Sequence, residues 1–137
     1  MKRVLIPALL AALLVLLAAA PAAAHPRTEV SDVVETFFDV DPCTGVVHEV
    51  TLSVTFLVHT HGGVVVARGV RTLTTSSGYV GGGTSSFIDN GQVEMFRFND
   101  LLADGSGNRI RATGVFVTDL SSGTLRVDAF ELTCLGS

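Results

Sequence analysis

The chain of 137 residues has no tryptophan, one tyrosine and a single lysine, Lys2. With 13 acidic side chains against 9 basic ones, it has no cationic face for a phosphate backbone and no basic patch for anionic lipid. These absences exclude nucleic acid as a partner and electrostatic attachment to a membrane surface. Cysteine is equally scarce, with only Cys43 and Cys134. No apolar run long enough to span a bilayer follows residue 24.

What is present begins with a leader. Lys2 and Arg3 give a positive start, Val4 to Ala20 is almost wholly apolar, and "PAAAHP" supplies the small-x-small pattern that a signal peptidase reads. Residues 1–24 are therefore predicted to be a signal peptide cleaved after Ala24, and residues 25–137 a single all-β domain. A retained membrane anchor is the competing reading, but the apolar stretch is short of the roughly 20 residues that cross a bilayer, and Pro7 and Pro21 interrupt or bound it. No cysteine lies near the cleavage site to accept a lipid. The product is expected to be secreted, with 113 residues, seven basic against 13 acidic groups and a net charge of −6. In an oxidising compartment Cys43 and Cys134 are expected to form one disulfide, the alternative being two buried free thiols. Arginine, alanine, glycine and valine in place of lysine and isoleucine suggest a GC-rich bacterial genome.

Beyond the leader, apolar residues recur at every second position and turn formers punctuate them at intervals, whereas no segment carries a 3.6-residue period. Strands are predicted near Glu29–Phe38, Val46–His61, Val64–Thr75, Tyr79–Ile88, Gln92–Leu101, Arg109–Leu120 and Thr124–Cys134. "HGGV" and "DNGQ" contain residues that tolerate positive φ, as tight hairpins require. Gly81 to Gly83 are ambiguous, marking a bulge, a bend or a loop in place of a strand. Successive hairpins make an up-and-down meander of about seven or eight strands, which protects its edges by closing into a small β-barrel, with a β-sandwich as the alternative. A disulfide between the first turn and the last strand brings the ends of the meander together.

"DPCTG" at Cys43, the valine- and threonine-rich strands, "RIRATGVF" and the terminal "ELTC" resemble a group of small exported bacterial proteins, mostly actinobacterial. These share an N/D-P-C-T-G turn and a late cysteine. The resemblance covers most of residues 41–134 and implies secretion, the disulfide and an all-β fold; it transfers no catalytic residue. The glycine-x-tryptophan signature of lipocalins cannot occur in a chain without tryptophan.

Chemistry-bearing candidates are few. His59 and His61 lie at i and i+2 on the wet phase of one strand, so both imidazoles can reach one metal ion. If β-strand residues pair so that their numbers sum to about 84, His25 lies opposite His59 and becomes the new N-terminus after cleavage. His25, His59 and His61 are thus a candidate copper or zinc site at a barrel rim; the bland alternative is three exposed polar residues. His48 falls on the packed phase, where a hydrogen-bonded histidine is expected rather than a catalytic base. Arg71 also falls on an apolar phase, which implies that it snorkels to a barrel mouth or that the preceding turn is longer than two residues. Asp100, Asp104 and Asn108 read as a solvated turn, lacking the ligand density of a calcium loop. Ser76, Ser77, Ser85 and Ser86 have no G-x-S-x-G elbow and no paired histidine.

No catalytic residue is therefore assigned, and the protein is expected to be non-enzymatic. The small inward candidates Ala67, Gly69, Ala112 and Gly114 favour a barrel that binds a small apolar ligand. A core plugged by Phe56, Phe96, Phe98, Phe116 and Phe130 would contradict it. The alternative is an envelope or surface protein acting by contact, motivated by Leu57, Val64, Val66 and Val70 on the nominally wet face.

Overall fold

The computed structural model describes residues 26–136. The expected leader and His25 lie outside them. Seven antiparallel strands follow one another: β1 (Arg27–Val40), β2 (Val47–His61), β3 (Val64–Thr75), β4 (Val80–Asp89), β5 (Val93–Ala103), β6 (Arg109–Asp119) and β7 (Thr124–Cys134). They form one sheet in chain order, which confirms the up-and-down meander.

Alternation decides the faces. On β2, His48, Val50, Leu52, Val54 and Phe56 are buried, while Val47, Glu49, Thr55 and Leu57 between them are exposed. Leu73, Phe87, Phe96, Leu102, Ile110 and Phe116 from β3 to β6 meet them in one core, with Tyr79 from the β3–β4 turn. The register follows from tight turns. Gly62 and Gly63, with φ of 57° and 78°, make the two-residue β2–β3 connection. At the other end, Asp41 organises the β1–β2 turn: its carboxylate accepts from the Cys43 amide and the Thr44 hydroxyl, and its own amide donates to the Val46 carbonyl. Val46, in that turn, is exposed although it shares the period-two phase of His48 and Val50.

β1 and β7 are the two ends of the sheet and are not hydrogen-bonded to each other, so the expected barrel closure is not made by backbone pairing. Cys43 and Cys134 join the ends instead, as a disulfide with Cα atoms 5.0 Å apart. The Leu135 amide donates to the Arg109 carbonyl beside it. Farther along β7 the register shifts against β6 near Val117 and Thr118, and residues 124–131 are exposed whichever face they belong to. Leu125, Val127 and Ala129 alternate with Phe130, Leu132 and Cys134 in opposite phases along this strand, and the irregularity falls where the first set pairs with β6.

Gly81 to Gly83 lie inside β4, paired with Leu73, Thr72 and Arg71 on one side and with Leu102, Leu101 and Asp100 on the other. They are neither bulge nor loop. A Cβ at Gly81 or Gly83 would overlap the carbonyl oxygen of Leu101 or Asn99, and one at Gly82 that of Arg71. Glycine is required because neighbouring backbones approach that closely. Gly83→Ala is expected to destabilise the fold by at least ~2 kcal/mol, the scale of overpacking a filled site, read as a lowered urea midpoint. An unchanged midpoint would show that β4 can shift aside.

Candidate functional site

The inner face carries a row of residues in direct register across six strands: Phe56, Gly69, Ser85, Phe98, Gly114 and Phe130. Large and small side chains share the row, and the rings lie down on the glycines. A Cβ on Gly69 would approach the Phe56 ring to 2.9 Å, and one on Gly114 would collide with Phe98. Phe56, Gly69, Ser85 and Gly114 are buried, and the row is open only toward Phe98 and Phe130. A cavity of about 1140 Å³ opens there, lined by this row and by segments of all seven strands. Ligand cavities run to roughly 300–1,000 Å³, so the space is ample for a small molecule.

Of the five phenylalanines whose packing would contradict a ligand-binding interior, Phe56, Phe96 and Phe116 are packed, whereas Phe98 is only partly buried and Phe130 is 42% exposed. Filling is therefore partial. Ala67 and Ala112, taken as small inward residues, belong to the packed part of the inner face, while Gly69 and Gly114 line the cavity.

Beside this row lies a buried ion pair whose arginine is on the apolar phase, as expected. Arg71 is buried on the inner face and donates through Nε to both carboxylate oxygens of Asp100, at 2.9 and 3.0 Å. Neither a snorkelling arginine nor a longer turn accounts for Arg71, and Asp100 is not part of a solvated loop. The pair spans from β3 to β5 across Gly83, whose missing side chain clears the path: a Cβ there would come within 2.8 Å of Asp100 Oδ1. The guanidinium carbon stands 4.5 Å from the centroid of the Phe98 ring, a cation–π contact. Burial raises the Asp100 pKa, with the Arg71 hydrogen bonds and charge pulling against it. Glu35 on β1 is also raised by burial, again opposed by the charge of Arg71. Arg71 Nη1 and Ser85 Oγ are buried with no hydrogen-bond partner among the described residues.

Toward the β4–β5 turn, Glu94 is 2% exposed, faces Asp89 and Thr118 across the neighbouring strands, and leaves its Oε2 without a partner among the described residues. Burial raises its pKa, and the charge of Asp89 raises it further. A carboxyl that holds its proton more tightly folded than unfolded stabilises the fold fully below the ordinary carboxylate range. That stability is lost as pH climbs through the raised value. Glu94→Gln is accordingly expected to raise the melting temperature at pH 7 by a few degrees, with the gap closing on acidification; thermal melts across that range check it. Asp104 and Asp119 have pKa values held below the usual range, chiefly by hydrogen bonds from Asn108 and Ser121 respectively, and they work in the opposite sense in acid.

The histidines are arranged differently from expectation. His59 and His61 are exposed on one face of β2, but β1 and β2 pair so that Thr28, not residue 25, lies opposite His59. Thr28 Oγ1 is 3.0 Å from His59 Nδ1. The capped turn at Asp41 makes the connection six residues, Asp41 to Val46, and shifts the register by three from the expected sum. Among the described residues no group of three or more His, Cys, Asp or Glu is gathered for a metal. His48 is buried as expected, its ring edge-on to Tyr79, and its Nδ1 is 2.6 Å from Ser77 Oγ, so Ser77 has the histidine partner that the serines were expected to lack.

Comparison with protein families, with curated proteins and with solved structures finds no match to this chain. Among the described residues, no helix is long and apolar enough to cross a membrane.

Proposed function

We propose that the protein is exported and works as a binding module, holding a small apolar molecule inside a curled, barrel-like sheet. The supporting observation is the open cavity of about 1140 Å³ lined by the Phe56 to Phe130 row together with neighbouring residues that include Val30, Leu57, Arg68 and Arg97. Phe98 and Phe130, at the more exposed end of the row, supply the apolar surface a ligand would meet. The sheet ends are unpaired along β1 and β7, which gives a route into the interior that a hydrogen-bonded barrel lacks. Among the described residues, the cavity lining gathers no nucleophile with a paired base, so binding rather than turnover fits it.

Titration with the neutral dye N-phenyl-1-naphthylamine tests this. Saturable one-to-one fluorescence enhancement is expected for the oxidised protein. Ser85→Leu, which places an apolar branch in the cavity, is expected to reduce dye affinity at least about tenfold, one hydrogen-bond-sized increment of free energy. Circular dichroism identifies variants that have not folded, and Phe130→Ala, at the more exposed end of the row, provides a second probe by altering affinity. Absence of saturable binding to the wild-type chain would refute the proposal.

A second reading is favoured by the outer face of β1. Val30, Val34 and Phe38 are between 64% and 68% exposed there, forming an apolar strip along an edge strand. Such strips serve contact with another protein surface. Sedimentation showing a concentration-dependent oligomer that Phe38→Ser abolishes would support this; a strict monomer at high concentration would oppose self-contact.

A further inference from the structure

Three arginines are matched by carboxylates: Arg27 by Glu29, Arg71 by Asp100 and Arg126 by Asp119. Arg68 and Arg97 have no such partner among the described residues, and strand pairing brings these two together. Arg68 on β3 is opposite Ser86 on β4, and Ser86 is opposite Arg97 on β5, so the three stand in one line across adjacent strands. They alternate with Gly69, Ser85 and Phe98 and therefore point to the outer face, where both arginines are exposed and Ser86 is half-buried. All three belong to the cavity lining.

The serine organises the pair. Arg97 Nε donates to Ser86 Oγ at 3.0 Å, which holds the guanidinium over β4 and leaves its Nη atoms and the serine hydroxyl proton as donors. Arg68 stands on the other side of the same serine. Two strand spacings, roughly 10 Å, separate the arginines at the backbone, a span that two such long side chains bridge, so an anion seated over Ser86 is within reach of both.

Charge and donor number select the anion. Two unmatched guanidinium groups balance the charge of roughly −1.5 to −2 that a phosphate monoester carries at pH 7, and its terminal oxygens suit donors from three residues. A carboxylate leaves one cation unmatched. The acids of the lining, Asp128 and Glu131, are both on β7, two strands beyond Arg97, about one Debye length away at physiological ionic strength. They oppose an extended polyanion more than a single phosphate over β4. On either side of the polar line the same row continues into Leu57 beside Arg68 and Val115 beside Arg97, 54% and 38% exposed. An apolar ester group therefore has surface to rest on next to the phosphate.

We infer that the outer face binds the phosphate monoester of a small apolar alcohol, with the phosphate held between Arg68 and Arg97 over Ser86 and the apolar group against Leu57 or Val115. This site goes beyond the apolar-ligand reading and does not require a molecule inside the sheet.

Isothermal titration of the oxidised protein with phenyl phosphate at pH 7 tests the inference, and saturable one-to-one binding is expected. Arg68→Gln and Arg97→Gln, both at exposed positions that leave the core intact, are each expected to weaken it about fivefold or more, the scale of a hydrogen bond to a charged group. Arg111→Gln, on the same face but opposite Leu101 and outside this line, is expected to change it less than about twofold. Inorganic phosphate, which lacks the apolar group, and benzoate, which lacks the second charge, are each expected to bind at least about fivefold more weakly than phenyl phosphate. Absence of saturable binding, or a loss in Arg111→Gln equal to that in Arg68→Gln, would overturn the site. Inorganic phosphate binding as tightly as phenyl phosphate would overturn the apolar ester, and benzoate doing so would overturn the phosphate. Sedimentation with phosphatidic acid vesicles without binding of phenyl phosphate would place the phosphate on a membrane and overturn the small-molecule assignment.

Discussion

Asp100→Ala is expected to cost about 3–5 kcal/mol of folding stability, the range measured when one partner of a buried ion pair is removed. The Arg71 and Asp100 side chains are 3% and 0% exposed, so the stranded guanidinium could not regain water without opening the core. Domains of this size are stable by roughly 5–15 kcal/mol; the variant should therefore unfold at a much lower urea concentration, or fail to fold at 37 °C. Arg71→Met combined with Asp100→Leu separates charge from packing. Replacing a buried pair with apolar groups of similar volume is often neutral or stabilising, so the double variant is expected to recover most of the loss. If Asp100→Ala costs less than about 1 kcal/mol, in the range of a surface ion pair, the pair is not sealed in the way its burial indicates.

Removing the disulfide by Cys43→Ser with Cys134→Ser is expected to destabilise the fold by up to roughly 4.5 kcal/mol, the chain-entropy value for a loop of this size. The two cysteines are separated by 91 positions. Topology makes the effect local as well as global. No backbone ladder joins β1 to β7, and residues 124–131 of β7 are exposed on both faces, so the terminal strand depends on β6 and on this bond. Reduction should increase hydrogen exchange first at residues 124–134, before the amides of β2 and β3. Uniform exchange across all strands on reduction would show that the sheet ends are held by contacts other than the sulfur link.

Much of the fold is legible in period-two alternation and turn chemistry. β3 and β7 have the expected limits, and the Gly62-Gly63 turn fixes β2 against β3 as its residue types require. The β1–β2 register was not legible, because "DPCTG" signals a turn without stating its length; that depends on how Asp41 caps it. The glycine triplet misled for a related reason. Local sequence marks a chain that can bend, whereas here glycine serves the close approach of strands on either side.

The polar interior was half visible. The phase that puts Phe96 and Phe98 inside also puts Asp100 inside, and continuing it past Asn99 would have supplied the partner that Arg71 lacked. The same continuation on β4 sets Ser85 in line with Phe87. Glu35 was hidden by the register, since which face of β1 is inward depends on the turn at Asp41. Closure of the sheet lies beyond a single-strand pattern altogether: alternation reports that a face is buried, not whether the first and last strands meet.

Chemical-shift mapping of isotope-labelled, oxidised protein with N-phenyl-1-naphthylamine is the most direct measurement of a ligand held within the curled sheet. Perturbations concentrated on Phe56, Gly69, Ser85, Phe98, Gly114 and Phe130 are expected, with little change along Val34 and Phe38. Shifts confined to that outer strip, or none at saturating dye, would contradict an internal binding site.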